Sequence, residues 1–422
     1  MGKAFFPLDE ELQLGTERLT PHAHECLVRF GSWAPFEKAA AELAFSLRVR
    51  VSEPTARRYA QAAGAAYVSW QTEEVERLEG ETPEAPAGPE KMFFSVDGAF
   101  IPLVGGEWTE VKTLTLGEIA APVRERGEWV VHSQQHSYFS RVAEATQFRR
   151  LALVETHRRG VERAGKIAAV TDGAEWEQGF IDFHCPQAVR ILDFPHAAEY
   201  LSQIGQALWG PESERTKTWL EEQLQRLKQE GPAELLADLQ HLRSQHPRIE
   251  IVPKNVAYLE KREEHMHYPD YQAAGLPIGS GAMESGNKVV VEARLKGAGM
   301  HWAPQNVNPM LALRNILCCD RWEEAWPQIK ASLHQADQAR KQDRWAHRQG
   351  SGPTATAAAV ASAQGVEPPV SKASSPPAAA PSVEQDPSEL PTRSKRPAAN
   401  HPWRRSPIGR AKYAPSTPFS KN

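Results

Sequence analysis

Residues 166–176 read KIAAVTDGAEW, a short apolar run that ends in an acid and a glycine before a helix-forming stretch. An Ile/Val/Ala run of this length, closed by a Gly turn, predicts a buried strand, and AEWEQGFIDF (174–183) after it predicts a helix. The same pattern stands upstream in MFFSVDGA (92–99). It returns downstream in AVRILD (188–193), which leads into the helical HAAEYLSQIGQALWG (196–210). Three buried strands thus deliver Asp97, Asp172 and Asp193 at their C-terminal ends, where ligands and active sites gather in α/β sheets. One such aspartate is commonplace; three in one region, two of them followed by Gly-Ala, are harder to dismiss as turn residues.

Between the first two motifs, EWTEVKTLTLGEI (107–119) and EWVVHSQQHSYF (128–139) alternate as strands do, and 140–160 read as a helix. Three strands first, then helix and strand in alternation, predict an α/β fold with an RNase H-like catalytic domain. That domain is expected over 91–210 and 275–342, interrupted by an all-helical insertion at 211–274 (RTKTWLEEQLQRLKQE, AELLADLQHLRSQ). Residues 1–80 read as a separate helical domain, and 81–90, rich in Pro, Gly and Glu, as a linker. Within the first domain, FEKAAAELAFSL and a second helix opening after Ser52, with Glu53 and Pro54 in its first turn, are compatible with a helix-turn-helix. Arg57 and Arg58 then lie where DNA contacts arise; an ordinary helical hairpin is the plainer alternative. From 343 to 422 the chain is rich in Ala, Pro and Ser, and is expected to be disordered.

Composition excludes several classes. The chain has 422 residues, 41% hydrophobic and 24% charged, as in a globular protein. No apolar run approaches the roughly 20 residues that span a bilayer. Asp9, Glu10 and Glu11 fall where an export signal would have its apolar core, so a cytoplasmic, nucleoid-associated location and no membrane partner are expected. The four cysteines (Cys26, Cys185, Cys318, Cys319) form no CxxC pair, which disfavours a zinc site. Net charge is −4, yet the segment from Arg393 onward carries Arg393, Lys395, Arg396, Arg404, Arg405, Arg410, Lys412 and Lys421 with no acid. A basic patch of that kind says more about nucleic-acid binding than the sum does.

Carboxylates brought together from distant parts of a chain suit hard divalent cations, which prefer oxygen ligands. Two such ions, roughly 4 Å apart, can activate a nucleophile and stabilise the leaving oxygen of a phosphodiester. Asp97 and Asp172 are the first two candidates. The third is Glu284 in GSGAMESGNK, on a helix where Asn287 and Lys288 share its face. A first-turn Glu favoured by the helix dipole is the plainer reading, and Glu292 is the competing carboxylate. Asp193 and His196 form an Asp-x-x-His unit: the aspartate orients the histidine, or both approach the reacting group, or Asp193 caps the next helix.

The motifs VDG, TDGAEW, LDFPHAAEYL, PIGSGAMES and RLKGAGMHW, in that order over residues 90–330, resemble those of bacterial insertion-sequence transposases of the ISKra type, within the Mutator-like DDE superfamily. The resemblance implies an RNase H-like domain whose triad, Asp97, Asp172 and Glu284, binds two Mg2+, with Mn2+ able to substitute. It implies Asp193 and His196 as the superfamily's Asp/Cys-x-x-His motif. The partners it implies are double-stranded DNA (terminal inverted repeats and target) and further copies of the chain, in a homodimer or larger synaptic assembly. Lys288, Arg294 and Lys296 are then expected on phosphate, and Trp302 on a base unless it is core. The chain has no N-terminal cysteine zinc-finger pattern, which some relatives carry. The function expected is Mg2+-dependent end cleavage and strand transfer. The alternatives are a nuclease without strand transfer and a transposase-derived repressor.

Overall fold

The computed structural model describes residues 19–125 and 127–350. The basic C-terminal cluster and nearly all of the segment expected to be disordered lie outside the described residues, although the last helix runs to Gly350.

The chain is a mixed α/β protein built on a five-stranded sheet. Its strands are β1 (Lys91–Pro102), β2 (Trp108–Ile119), β5 (Ser133–Arg141), β6 (Lys166–Thr171) and β7 (Val189–Leu192), in the order β5-β2-β1-β6-β7. A two-stranded ribbon, β3 (Val123–Glu125) with β4 (Glu128–Val130), interrupts the connection from β2 to β5. Strands β5, β2 and β1 are antiparallel; β6 and β7 run parallel to β1 and are reached through helices. Those helices are α4 (Ala145–Leu151), α5 (Leu153–Arg158), α6 (Glu175–His184) and, after β7, α7 (Phe194–Trp209).

The continuous apolar run of β1 is explained by burial on both faces. Met92, Phe94 and Val96 join Ile167 and Ala169 in one core, whereas Phe93 joins Ala168 and Val170 in another. The period-2 alternation of a strand makes this possible. The second core also takes in α7 and the helical segment that follows: α8 (Glu214–Glu230), α9 (Pro232–Gln245), α10 (Ile251–Glu260) and α11 (Tyr268–Ala273). The expected all-helical insertion is therefore packed on the sheet face rather than hung from it.

The N-terminal helices α1 (Pro21–Trp33), α2 (Phe36–Leu47) and α3 (Glu53–Glu81) do not keep a core of their own. They share one with Ala99 and Ile101 of β1, with Val290 and Leu295, with α14 (Pro304–Cys318) and with α15 (Trp322–Gly350). A Cβ at Gly64 of α3 would lie 2.1 Å from the Pro309 carbonyl oxygen, so the two helices touch backbone to backbone. The boundary drawn at residue 80 separates helices from strands, but it does not bound a core. The two helices read from FEKAAAELAFSL and from Ser52 onward are present as α2 and α3, and the second extends over 29 residues.

Candidate metal centre

The parallel registers place the three aspartates. Lys91 pairs with Lys166, and Ala168 with Val189, so β6 is offset from β1 by 75 residues and β7 from β6 by 21. The same offsets set Asp97 level with Asp172 and Asp172 level with Asp193, one row across three neighbouring strands. Asp172 and Asp193 follow the last strand residues, as expected. Asp97 does not end its strand: β1 continues to Pro102, paired with β2 as far as Trp108. The ladder between β1 and β6 has stopped at Phe94–Ala169, which leaves Asp97 beyond the ladder with β6 while its strand runs on beside β2.

Asp97, Asp172 and Glu177 offer one carboxylate oxygen each, all within 4.8 Å of one another. Asp97 Oδ1 accepts from the Gly98 amide (2.6 Å) and Oδ2 from the Asn287 side-chain amide (3.0 Å). Asp172 Oδ1 accepts from the Ala174 amide at 2.8 Å. Glu177 Oε2 accepts from the Gly173 and Ala174 amides, both at 3.1 Å, closing the N-terminus of α6. Among the described residues no Lys or Arg forms an ion pair with any of the three. Burial, with the charges of Asp172 and Glu110 adding to it, raises the Asp97 carboxyl to about 6. Burial, the hydrogen bond that the protonated Glu177 gives to Asp172 and the charges of both aspartates push Glu177 up to about 10. Burial and the neighbouring acids favour the protonated forms of Asp97 and Glu177, and a divalent ion would displace those protons. The donor set is all oxygen, the kind hard divalent cations prefer, and could hold such an ion.

Glu284, the expected third ligand, is not one of these three. It lies in the six-residue helix α12 (Gly281–Gly286), which runs into a π-helical turn, Asn287–Glu292. Its side chain is one-third exposed and 3.7 Å from Lys288 Nζ. It still belongs to this end of the sheet, because Asn287 binds Asp97 and the Glu284 charge acts on Asp193. The competing Glu292 pairs outward with Lys296 at 2.8 Å.

Asp193 is buried, and burial raises it to about 6. Its Oδ1 accepts the Ser280 amide at 2.7 Å, and the Phe194 amide donates to the Ile278 carbonyl at 2.9 Å. Asp193 therefore tethers the Gly-Ser-Gly loop that starts the Glu284 helix. It makes no side-chain cap bond to α7, and no hydrogen bond joins it to the His196 ring. His196 instead lies edge-on to Tyr200 and Tyr258, with Nδ1 4.0 Å from Glu199.

Arg294, expected on phosphate, is interior, and Trp302 takes the core alternative. Arg294 is 2% exposed; its Nε donates to the Gly31 carbonyl at 3.1 Å, and its guanidinium stands 4.7 Å from the Phe36 ring and 5.1 Å from Trp302. Trp302 is buried and donates from its indole nitrogen to the Leu295 carbonyl at 2.9 Å. Both hold the N-terminal helices to the core, and neither can reach a phosphate or a base. Lys288 and Lys296 are exposed but engaged with Glu284 and Glu292. Arg57 and Arg58 are exposed at the start of α3, Arg57 3.8 Å from Glu53.

Glu177 was not among the ligands expected from the sequence. Its signal was present: a Glu at the third position of the helix after the Asp-Gly-Ala turn is a capping-box position, aimed back at that turn. Among the described residues no helix is long and apolar enough to cross a membrane. No family model matches the chain, and no curated protein matches it.

Proposed function

We propose that the protein is a DDE transposase, with an RNase H-like catalytic domain that cleaves the ends of a mobile element and joins them to target DNA. The observation that carries this reading is the row of Asp97, Asp172 and Asp193 across three strands, with Asp97, Asp172 and Glu177 clustered within 4.8 Å. The sheet order, three antiparallel strands followed by two parallel to the first, supports the fold assignment.

Asp97, Asp172 and Glu177 would hold the divalent metal, with Glu284 on the helix that follows the loop tethered by Asp193. When bound, such ions supply a nucleophile at neutral pH and stabilise the leaving oxygen. The chain's own groups set the geometry. Asn287 holds one Asp97 oxygen, the Ala174 amide orients Asp172, and Asp193 anchors the loop that brings Glu284 in. Arg57 and Arg58, exposed at the start of α3, would meet a DNA backbone, and joining two ends would bring together two or more copies of the chain.

The test is incubation of the full chain with Mg2+ and a plasmid carrying its coding gene with flanking DNA, beside Asp97→Ala, Glu177→Ala and Glu284→Ala. Nicked and joined products, lost in the Asp97 variant, support transposition. Nicking without joining assigns a nuclease. DNA binding with no cleavage by the wild type refutes the proposal and leaves a repressor.

A further inference from the structure

The turn that carries Asp172 is held from two sides. From within the sheet domain, Glu177 takes the Gly173 and Ala174 amides. From the helical insertion, the Tyr258 hydroxyl donates to the Asp172 carbonyl and Arg262 donates to the Gly173 carbonyl at 2.6 Å. Tyr258 lies in the last turn of α10 and Arg262 just beyond it. The two side chains brace each other: the Arg262 guanidinium lies 3.6 Å from the Tyr258 ring centre and also donates to the Tyr258 carbonyl at 3.1 Å. The other face of Tyr258 is stacked on Tyr200 of α7, with centroids 3.8 Å apart and planes 4° from parallel. Gly173 makes room for this arrangement. Its φ is +81°, and a Cβ there would sit 2.3 Å from Arg262 Nε.

These two sets of bonds differ in kind. The carboxylates that hold the Gly173 and Ala174 amides are the metal ligands themselves, so a cation competes for their oxygens. The carbonyls of Asp172 and Gly173 are held by groups that no cation attracts. We propose that Tyr258 and Arg262 are positioning residues for the metal centre, through which the helical insertion fixes the Asp172 turn. This deepens the function proposed above and rests on its metal centre. The insertion then does more than cover a sheet face. Partners that orient a ligand are commonly worth about tenfold or more in metal affinity.

The experiment measures Mn2+ affinity by calorimetry on the full chain for the wild type, Tyr258→Phe, Arg262→Met and Arg262→Lys, with amide hydrogen exchange at Gly173 and Ala174 in metal-free protein. Tyr258→Phe keeps the ring stack and removes only the hydroxyl. The expected result is affinity about tenfold weaker in Tyr258→Phe and Arg262→Met, partly restored in Arg262→Lys, with faster exchange at the two amides. A purely structural role would lower the melting temperature and leave the affinity of the folded protein unchanged. Affinities within twofold of a wild type that does bind Mn2+ overturn this proposal and spare the metal centre. A wild type that binds no Mn2+ overturns both.

Discussion

Replacing Asp97 by Asn should stabilise the metal-free protein at pH 8 while removing its response to Mg2+. In the folded chain the Asp97 carboxyl is raised from 3.8 to about 6, burial first and the neighbouring acids second. The folded state therefore binds this proton more tightly than the unfolded state does. The stabilisation is full below about pH 4 and is lost as the pH rises through about 6. A shift of this size corresponds to ~3 kcal/mol at neutral pH, and because the residue is not fully buried about 1–3 kcal/mol is the realistic range. Asparagine carries no charge and keeps the two hydrogen bonds. Its Oδ1 can still accept from the Gly98 amide. The Asn287 amide, whose Oδ1 is buried without a partner, can turn to accept from the new side-chain nitrogen. The assay is thermal melting in chelator at pH 4.5 and pH 8, then with Mg2+ at pH 8. The variant should melt a few degrees above the wild type at pH 8, by a clearly smaller margin at pH 4.5, and should not respond to Mg2+. A variant that melts at or below the wild type at pH 8 in chelator would refute the claim that clustered charge strains this site.

Three further outcomes follow from the same structure. Arg294→Ala should destabilise the fold by about 2–4 kcal/mol in a denaturant melt, because it leaves the Gly31 carbonyl unpaired and a void between Phe36 and Trp302; the salt dependence of DNA binding by the folded variant should be unchanged. Arg57→Ala with Arg58→Ala should leave the melting temperature within a degree or two but lower the salt slope of duplex binding by roughly 2, read by fluorescence anisotropy at several salt concentrations. Gly64→Val should cost more than about 3 kcal/mol by forcing α3 off Pro309, and its unfolding should remain a single transition if the N-terminal helices share the core; loss of α1–α3 alone at low denaturant would contradict that packing.

The strands of the sheet and their acids were legible locally. Apolar runs closed by an Asp, with Gly-Ala after two of them, are local signals, because strand burial and turn chemistry act over a few residues. Even the row of aspartates is an offset of 75 and 21 that needs only the right strand partners. The helix that starts at Ser52, and the helical stretch after Trp209, were legible for the same reason. What the chain's periodicity did not carry was which long-range neighbours meet. Arg294 read as a phosphate contact, and Trp302 stayed open between base stacking and core, because nothing local says that Gly31 and Phe36, more than 250 residues earlier, come to cover them. Glu284 was expected as the third ligand largely from the family resemblance, whereas Glu177, five residues from Asp172, reaches the two aspartates because the Gly173 turn folds α6 back onto its own strand end. The grip of Tyr258 and Arg262 on that turn joins residues about 86 apart through two carbonyl oxygens, and backbone groups leave no trace in side-chain pattern. Local chemistry chose the elements and placed two of the acids; long-range packing settled which acid joins them and which cations stay at the surface.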